Sequence, residues 1–186
     1  MLLISPFILV LIVILCIYEG NSIFFTQERV GYMGRPFKMY KFRTLREEGT
    51  KRKNMPVSRD TSGKETRSGK KLRQLKIDEL PQLFNILKGD MSLVGPRPLP
   101  IDDVKNESWL SNIPEHEQQK YRDWLRDRLT VMPGVTGLWQ ISGKSDSDLD
   151  NWVEQDYKYL NTHSAFIDFK ILVLTPFLIL KNKKKS

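Results

Sequence analysis

The adjacent carboxylates Asp78 and Glu79 are the residues whose type and spacing best suit covalent chemistry. Acidic pairs are common where solvated helices begin, because they favour the helix dipole, so the pair alone predicts little. Arg73 lies five residues earlier, and Arg97 follows between two prolines that restrict the backbone. Guanidinium groups match phosphate oxygens bidentately, so this set can hold a phosphoryl group while a carboxylate attacks it. The alternative is a structural ion pair, which spacing alone favours.

The segment from Asp78 to Lys88 has the periodicity of a helix that would carry these acids. Its apolar residues form one stripe at helical spacing: Leu80, Leu83, Phe84 and Leu87. Its polar residues share a separate face: Asp78, Gln82 and Asn85. We therefore expect Asp78 to open the polar face of an amphipathic helix.

Further amphipathic helices are predicted in residues 71–180, and this part of the chain is predicted to form the functional domain. Residues 115–129 carry an apolar stripe among basic residues, a pattern that suits a core helix and a membrane-interface helix equally. Another helix is predicted near residues 149–160. The final apolar segment is interrupted by Asp168, Lys170 and Pro176, which argues against a second clean membrane span.

Length and composition restrict the classes of protein and site. A chain of 186 residues has room for one ordinary domain, and 40% hydrophobic content excludes a disordered tail. The single cysteine, Cys16, excludes an internal disulfide framework, and only two isolated histidines are present. These residues provide no zinc-type cluster, so any metal is expected to be a hard ion held by oxygen.

The first 18 residues carry no charge and are apolar except for Ser5 and Pro6. The unbroken run from Phe7 to Tyr18 has 12 residues. As a helix it would be about 18 Å long, whereas a hydrocarbon core is about 30 Å thick. A retained anchor is favoured over a signal peptide, which would have a basic start and a small-residue cleavage site. Pro6 would either bend the helix, so that it enters and leaves by one membrane face, or occupy the first turn of a straight helix.

A basic block follows this apolar segment. Residues 29–76 hold 16 of the 30 Lys and Arg residues and four acids. This placement fits the positive-inside rule and attraction to anionic lipid headgroups, so the remainder of the chain is expected on the cytoplasmic side. Residues 50–70 read as a mobile basic loop. Because the loop has no aromatic residues for base stacking, no nucleic-acid partner is predicted.

Three long motifs make the sequence recognisable. They are FFTQERVGYMGRPFKMYKFRTL, LRQLKIDELPQLFNILKGDMSLVGPRPLP and VMPGVTGLWQISGK. Together they resemble the bacterial sugar transferase family, the monotopic phosphoglycosyl transferases, over nearly the whole chain. The resemblance implies an enzyme that moves a sugar phosphate from a UDP-sugar to undecaprenyl phosphate, releases UMP and begins a surface glycan.

The resemblance also implies roles for individual residues. Asp78 matches the family nucleophile, which forms an aspartyl phosphosugar intermediate, and Glu79 matches the second acid, associated with Mg²⁺ and with activating an incoming phosphate. Mg²⁺ and a set of cations would offset the charge of the phosphates. That set is Arg73, Arg97, Lys41 and Arg43.

The implied fold is an α-rich, membrane-associated α+β protein. A re-entrant membrane segment (1–20) would break at Ser5 and Pro6, a cytoplasmic catalytic domain with interfacial amphipathic helices would occupy 21–180, and a lysine-rich tail would follow at 181–186. The expected location is the cytoplasmic face of the bacterial inner membrane. Few residues precede Ser5, so the first arm of the bent helix is expected to be largely missing, which places insertion and activity in question.

Three other functions compete with this interpretation. A catalytically inactive membrane adapter would bind anionic lipid or a partner protein and would need neither Asp78 nor Mg²⁺. A nucleic-acid binder is disfavoured by the aromatic-free basic loop. A hydrolase would transfer the same group to water and would not depend on the lipid acceptor. The sequence does not indicate which sugar is transferred.

Overall fold

Short strands and helices alternate along the chain. The computed structural model describes residues 12, 14–17, 23–45, 65–142 and 148–183. Their mixed helix and strand content confirms the predicted α+β class. Ser5 and Pro6, most of the predicted loop 50–70 and residues 184–186 lie outside the described residues.

The first sheet is an antiparallel hairpin. Strand β1 covers Phe24–Val30 and strand β2 covers Pro36–Phe42. A 3₁₀ turn at Tyr32–Gly34 joins them. Because side chains alternate between the faces of a strand, the register that pairs Phe25 with Lys41 also places Gln27 and Arg29 on the face of Lys41.

The acids follow the hairpin in the chain. Helix α1 covers Gly69–Gln74, a 3₁₀ turn covers Ile77–Glu79, and helix α2 covers Gln82–Lys88. Helix α1 therefore begins within the loop predicted at 50–70, and Glu65 already forms a bridge with Leu45. The helix predicted from Asp78 begins only at Gln82, because the acids lie in the separate 3₁₀ turn. Pro81 precedes α2 directly, and Gly89 ends it with a positive φ of 78°.

Helix α2 buries its polar side. Gln82 and Asn85 are 3% and 0% exposed, whereas Phe84 and Leu87 are 48% and 62% exposed. Asn85 Oδ1 accepts from the Tyr40 N–H at 3.1 Å, and Asn85 Nδ2 donates to the Lys38 carbonyl at 2.7 Å. The carboxamide thus satisfies the open edge of β2 as a neighbouring strand would. The amphipathic pattern predicts that the apolar stripe of α2 faces the core. The polar side is buried instead because Asn85 pairs with the backbone groups at this edge of β2.

A second, parallel pair lies behind Arg97. Strand β3 covers Ser92–Val94 and pairs with β4 at Gly134–Thr136. A Cβ on Gly95 would overlap the Met132 carbonyl oxygen and would lie 2.9 Å from Gly134 N. Glycine therefore permits the close backbone approach on which this strand pair depends.

The main apolar cluster joins three further helices. Helix α3 covers Ile101–Lys105, α4 covers Glu115–Asp127, and α6 covers Leu149–Thr162. Trp124 of α4 is 0% exposed and packs in one cluster with Trp109 and Trp152. The stripe predicted at residues 115–129 is therefore a core face, which resolves the alternative between core and membrane interface.

The last helices complete the described fold. Short helix α5 covers Leu138–Ile141, and α7 covers Ala165–Lys183 with Pro176 inside it. Asp168 of α7 accepts a hydrogen bond from the Tyr159 hydroxyl at 2.9 Å. The outward side of α7 includes Phe166, Phe169 and Phe177, all largely exposed. Among the described residues, no helix has the length and apolar character needed to cross a membrane.

The described end of the N-terminal apolar segment contacts the region of the acids. Residues 14–17 are helical, and Leu15 is buried at 3% exposure. Leu15 belongs to a cluster with Phe42 and Leu72, against which Ile77 and Leu80 pack. Burying one leucine contributes about 1.5–3 kcal/mol. The segment thus supports the turn that carries the acids.

Candidate active site

The acid pair occupies a tight, buried turn. Asp78 and Glu79 are 8% and 6% exposed. Just before them, Lys76 takes a left-handed conformation at φ 57°, and its carbonyl accepts from the Glu79 N–H at 3.3 Å. A non-glycine residue in this region costs roughly 1–2 kcal/mol, and such conformations cluster at functional sites. The reversal at Lys76 thus leads directly into the turn that carries both acids.

Two cations converge on one oxygen of Glu79. Lys41 Nζ lies 3.1 Å from Glu79 Oε1, and Arg97 Nη1 lies 3.5 Å from the same atom. All three side chains are at most 15% exposed. Because water is largely excluded, these ion pairs are stronger than surface pairs, but each charge also carries a desolvation cost.

Burial lowers the pKa of Lys41 from 10.5 to about 8. The neighbouring Glu79 carboxylate opposes this shift by stabilising the ammonium, whereas Arg97 and Arg29 reinforce it. Asp78 acts weakly in the same direction as Glu79. The site is therefore a dense group of opposite charges in which Lys41 can change its charge at a mildly alkaline pH.

The backbone around Arg97 is fixed by other arginines. Arg29 Nη1 donates to the Pro98 carbonyl at 2.8 Å, and Arg128 Nη2 donates to the Arg97 carbonyl. The Arg97 guanidinium lies over the Trp139 ring, with Cζ 4.8 Å from the ring centroid. Three contacts therefore hold Arg97: the hydrogen bond to its backbone carbonyl, the packing of its guanidinium on Trp139 and its ion pair with Glu79.

The structure brings together some of the predicted site residues. Lys41, Glu79 and Arg97 are in direct contact, and Asp78 adjoins Glu79 in the chain. Arg73 forms an ion pair with Glu65, with Nη1 3.9 Å from Oε1.

Arg43 lies immediately after β2. Its backbone N–H donates to the Ile23 carbonyl at 2.7 Å. The part of the predicted site that concerns the membrane-helix break, Ser5 and Pro6, falls outside the described residues.

Sequence reasoning missed Arg29 and Arg128. Arg29 lines one cleft with Lys41, Gln82 and Arg97. The period-2 alternation of the hairpin could have identified Arg29, because it lies on the same strand face as Lys41. Arg128 had no comparable signal, since its position depends on a buried pairing with Asp156 across 28 residues of sequence.

The donor set of the site fits Mg²⁺ in one particular way. In the described ranges no group of three or more His, Cys, Asp or Glu side chains could hold a metal ion. Asp78 and Glu79 nevertheless provide two carboxylates from adjacent positions of one turn. Mg²⁺ is commonly bound by one or two carboxylates together with substrate phosphates. The residues therefore fit an ion that is bound jointly by the protein and a phosphorylated substrate.

Comparison with known proteins identifies the family. The family described as bacterial sugar transferase matches residues 1–182. The chain belongs to the bacterial sugar transferase family. The match includes the turn Ile77–Glu79 that carries the acids, here called the dyad turn, and both cationic contacts of Glu79. It also includes all of helix α7 except Lys183, so the contacts described above lie inside the family's shared region.

Three relatives illustrate the range of the family. Galactosyl transferase CpsE of Streptococcus agalactiae is 40% identical over 84% of this chain and 34% of that protein. The uncharacterized sugar transferase EpsL of Bacillus subtilis is 39% identical over 92% of this chain and 76% of that protein. The UDP-glucose:undecaprenyl-phosphate glucose-1-phosphate transferase of Klebsiella pneumoniae is 36% identical over 98% of this chain and 38% of that protein. The chain thus spans little more than a third of two of these sugar transferases.

Proposed function

We propose that this chain transfers a sugar 1-phosphate from a UDP-sugar to undecaprenyl phosphate, releases UMP and so begins a surface glycan. The observation that carries the proposal is the buried Asp78–Glu79 pair with Lys41 and Arg97 on Glu79. Support for the substrates comes from the Klebsiella pneumoniae relative, whose name includes a UDP-sugar donor and an undecaprenyl-phosphate acceptor. The location consistent with a lipid acceptor is the cytoplasmic face of the inner membrane.

In the first step, an Asp78 carboxylate oxygen attacks the phosphorus that bears the sugar. A new bond forms between this oxygen and phosphorus, and the bond from phosphorus to the bridging oxygen of the diphosphate breaks. The bridging oxygen leaves with the electron pair as part of UMP. Asp78 then carries the sugar phosphate as an acyl phosphate.

In the second step, a phosphate oxygen of undecaprenyl phosphate attacks the same phosphorus. The bond between phosphorus and Asp78 breaks, and the electron pair returns to the carboxylate. The products are undecaprenyl diphosphate sugar and the regenerated enzyme. Two sequential displacements on one nucleophile correspond to a ping-pong scheme.

The surrounding cations have an electrostatic task in both steps. Diphosphate and lipid phosphate bring several negative charges to a buried carboxylate pair, and Lys41 and Arg97 offset that repulsion. Asp78 and Glu79 would hold Mg²⁺ together with the donor's phosphates, where the ion supplies charge neutralisation when bound. Arg97 also orients phosphate oxygens through its planar fork.

The exposed apolar side chains suit a lipid-bound acceptor. Phe84 and Leu87 extend outward from α2, directly after the dyad turn. Such exposed apolar surface marks membrane or protein interaction sites. Placing this side of α2 at the membrane surface would bring the acceptor phosphate within reach of Asp78.

The test measures UMP release and formation of lipid-linked sugar by the full chain in lipid nanodiscs. A panel of UDP-sugars is supplied with Mg²⁺ and undecaprenyl phosphate each present or omitted. We expect multiple turnovers only when both are added, and none for Asp78→Asn. Asp102→Asn, at an exposed position on α3, is the matched control and is expected to behave as wild type.

Two outcomes would refute the proposal. Continued UMP release without lipid acceptor, with free sugar phosphate as co-product, would indicate a hydrolase. No release from any donor, together with vesicle binding that is unchanged in Asp78→Asn, would indicate the adapter.

A further inference from the structure

Four successive carbonyl groups around Arg97 each accept a hydrogen bond. The Pro96 carbonyl accepts from Gly134 N and the Leu99 carbonyl from Val30 N, both at 2.9 Å. The two carbonyls between them belong to Arg97 and Pro98, and both accept from arginine side chains. Because two of the four residues are prolines, this segment has few backbone N–H groups with which to anchor itself. Side-chain donors therefore take over that task.

The two donor arginines are themselves firmly held. Arg128 is buried, lies 3.3 Å from Asp156 Oδ2 and packs over the Trp124 ring with Cζ 4.5 Å from the centroid. Trp124 Nε1 donates to the same Asp156 oxygen at 2.9 Å. Arg29 uses Nη1 for the Pro98 carbonyl, while its Nη2 donates to Gln27 Oε1 at 2.6 Å.

We infer that Arg29 and Arg128 are positioning residues that act through Arg97. They fix the Arg97 carbonyl and the Pro98 carbonyl that follows it. In this way they set the position of the guanidinium between Glu79 and Trp139. A displacement of about 1 Å at a substrate-orienting group can cost up to about 100-fold in rate. The forked guanidinium of Arg29 reaches two acceptors at once, which a lysine ammonium does not reproduce in the same geometry.

The inference rests on the proposed function in one respect, that Arg97 contributes to transfer. The first test is therefore a double-mutant cycle between Arg29 and Arg97. Arg29→Lys keeps the charge near Lys41 but removes the fork. We expect Arg29→Lys to lower kcat about 10-fold or more in the wild-type background, with a much smaller change in KM. In an Arg97→Ala background we expect less than about a 2-fold further loss.

The second test does not depend on activity. In protein labelled with ¹⁵N-arginine, the Nε–H signal of Arg97 is assigned by its loss in Arg97→Lys. We expect this signal to shift or broaden in Arg29→Lys and in Arg128→Lys. Arg126→Lys, at an exposed arginine of α4, is expected to leave it unchanged.

The two tests separate failure of this inference from failure of the proposed function. A chain that transfers no sugar, but whose Arg97 signal responds to Arg29→Lys, would refute the proposed function and support the positioning role. An unchanged Arg97 signal in both variants would overturn the positioning role, as would equal rate losses from Arg29→Lys with and without Arg97. Thermal unfolding of each variant shows whether it is folded. If Arg128→Lys does not fold, Arg29→Lys alone tests the positioning role.

Discussion

Lys41 and Glu79 form an ion pair between strand β2 and the dyad turn, with Nζ 3.1 Å from Oε1. Both side chains are at most 15% exposed, and Arg97 approaches the same carboxylate oxygen. The pair therefore joins the hairpin to the acids and also sets the charge balance of the site. Replacing Glu79 and replacing Lys41 are therefore expected to have different consequences.

Glu79→Gln keeps the size of the side chain but removes the counter-charge of two buried cations. Breaking a buried pair in this way costs about 3–5 kcal/mol of unfolding free energy. We expect a lower melting temperature and a loss of transfer activity. Thermal unfolding and UMP release measure the two effects, with Glu117→Gln, a half-exposed glutamate of α4, as the control. Wild-type stability in Glu79→Gln would show that the pair is not significant.

The lowered pKa of Lys41 predicts a pH dependence of stability. Between pH 8 and 10.5 the folded chain has released a proton that the unfolded chain still binds. The contribution of Lys41 to the free energy of unfolding therefore rises with pH across this window. We expect wild type to gain stability relative to Lys41→Met between these pH values, measured by denaturant unfolding in EDTA. A difference that stays constant with pH would contradict the shift.

Asn85 predicts an unusually large effect for a polar residue on a helix. Asn85→Ala leaves the Tyr40 N–H and the Lys38 carbonyl without their partner at the edge of β2. We expect a loss of about 2–4 kcal/mol, because each unsatisfied buried group costs about 1–3 kcal/mol. Denaturant unfolding measures it, with exposed Asn161→Ala as the control. A loss as small as that of the control would mean that α2 docks on β2 through its apolar contacts.

Gly95 predicts a steric effect behind the site. Gly95→Ala would place a Cβ against the Met132 carbonyl and Gly134 N, so β3 and β4 must separate. We expect a loss of more than 2 kcal/mol in stability and a lower transfer rate, because Arg97 follows two residues later. Gly34→Ala is the contrast. Apart from its chain neighbours, no atom lies within 4 Å of the added Cβ, and only the positive φ of Gly34 is unfavourable. Equal losses in the two variants would argue against the close approach of the strands.

The sequence predicted the fold class better than the packing of the elements. Helical periodicity predicted a helix from Asp78 to Lys88, but α2 covers only Gln82–Lys88 and the acids lie in a separate 3₁₀ turn. The periodicity also did not indicate which side of the helix faces inward. Periodicity describes the spacing of side chains, whereas the orientation of α2 depends on backbone groups of β2 that Asn85 satisfies. For the same reason, periodicity did not distinguish a core helix from a membrane-interface helix at residues 115–129. In the structure, Trp124 packs in one buried cluster with Trp109 and Trp152.

The contacts of the site were less predictable still. Lys41 and Glu79 are 38 residues apart, and their contact depends on the register of a hairpin and a left-handed residue at Lys76. The three-residue strands β3 and β4 are too short for a periodic signal, although their pairing places Arg97. The resemblance to a family implied roles for Asp78 and Glu79, which remain predictions. The contacts of Arg29 and Arg128 with the segment around Arg97 could be found only in the structure.

We propose above that Asp78 becomes covalently bound to the sugar phosphate. The most direct measurement is intact-protein mass spectrometry of the full chain after incubation with its UDP-sugar and Mg²⁺ in the absence of undecaprenyl phosphate, followed by peptide mapping. We expect a mass increase of one sugar phosphate on the peptide containing Asp78, up to one UMP released per chain, and loss of the adduct when the lipid acceptor is added. An active chain that forms no adduct, and releases UMP only when donor and acceptor are present together, would contradict the account.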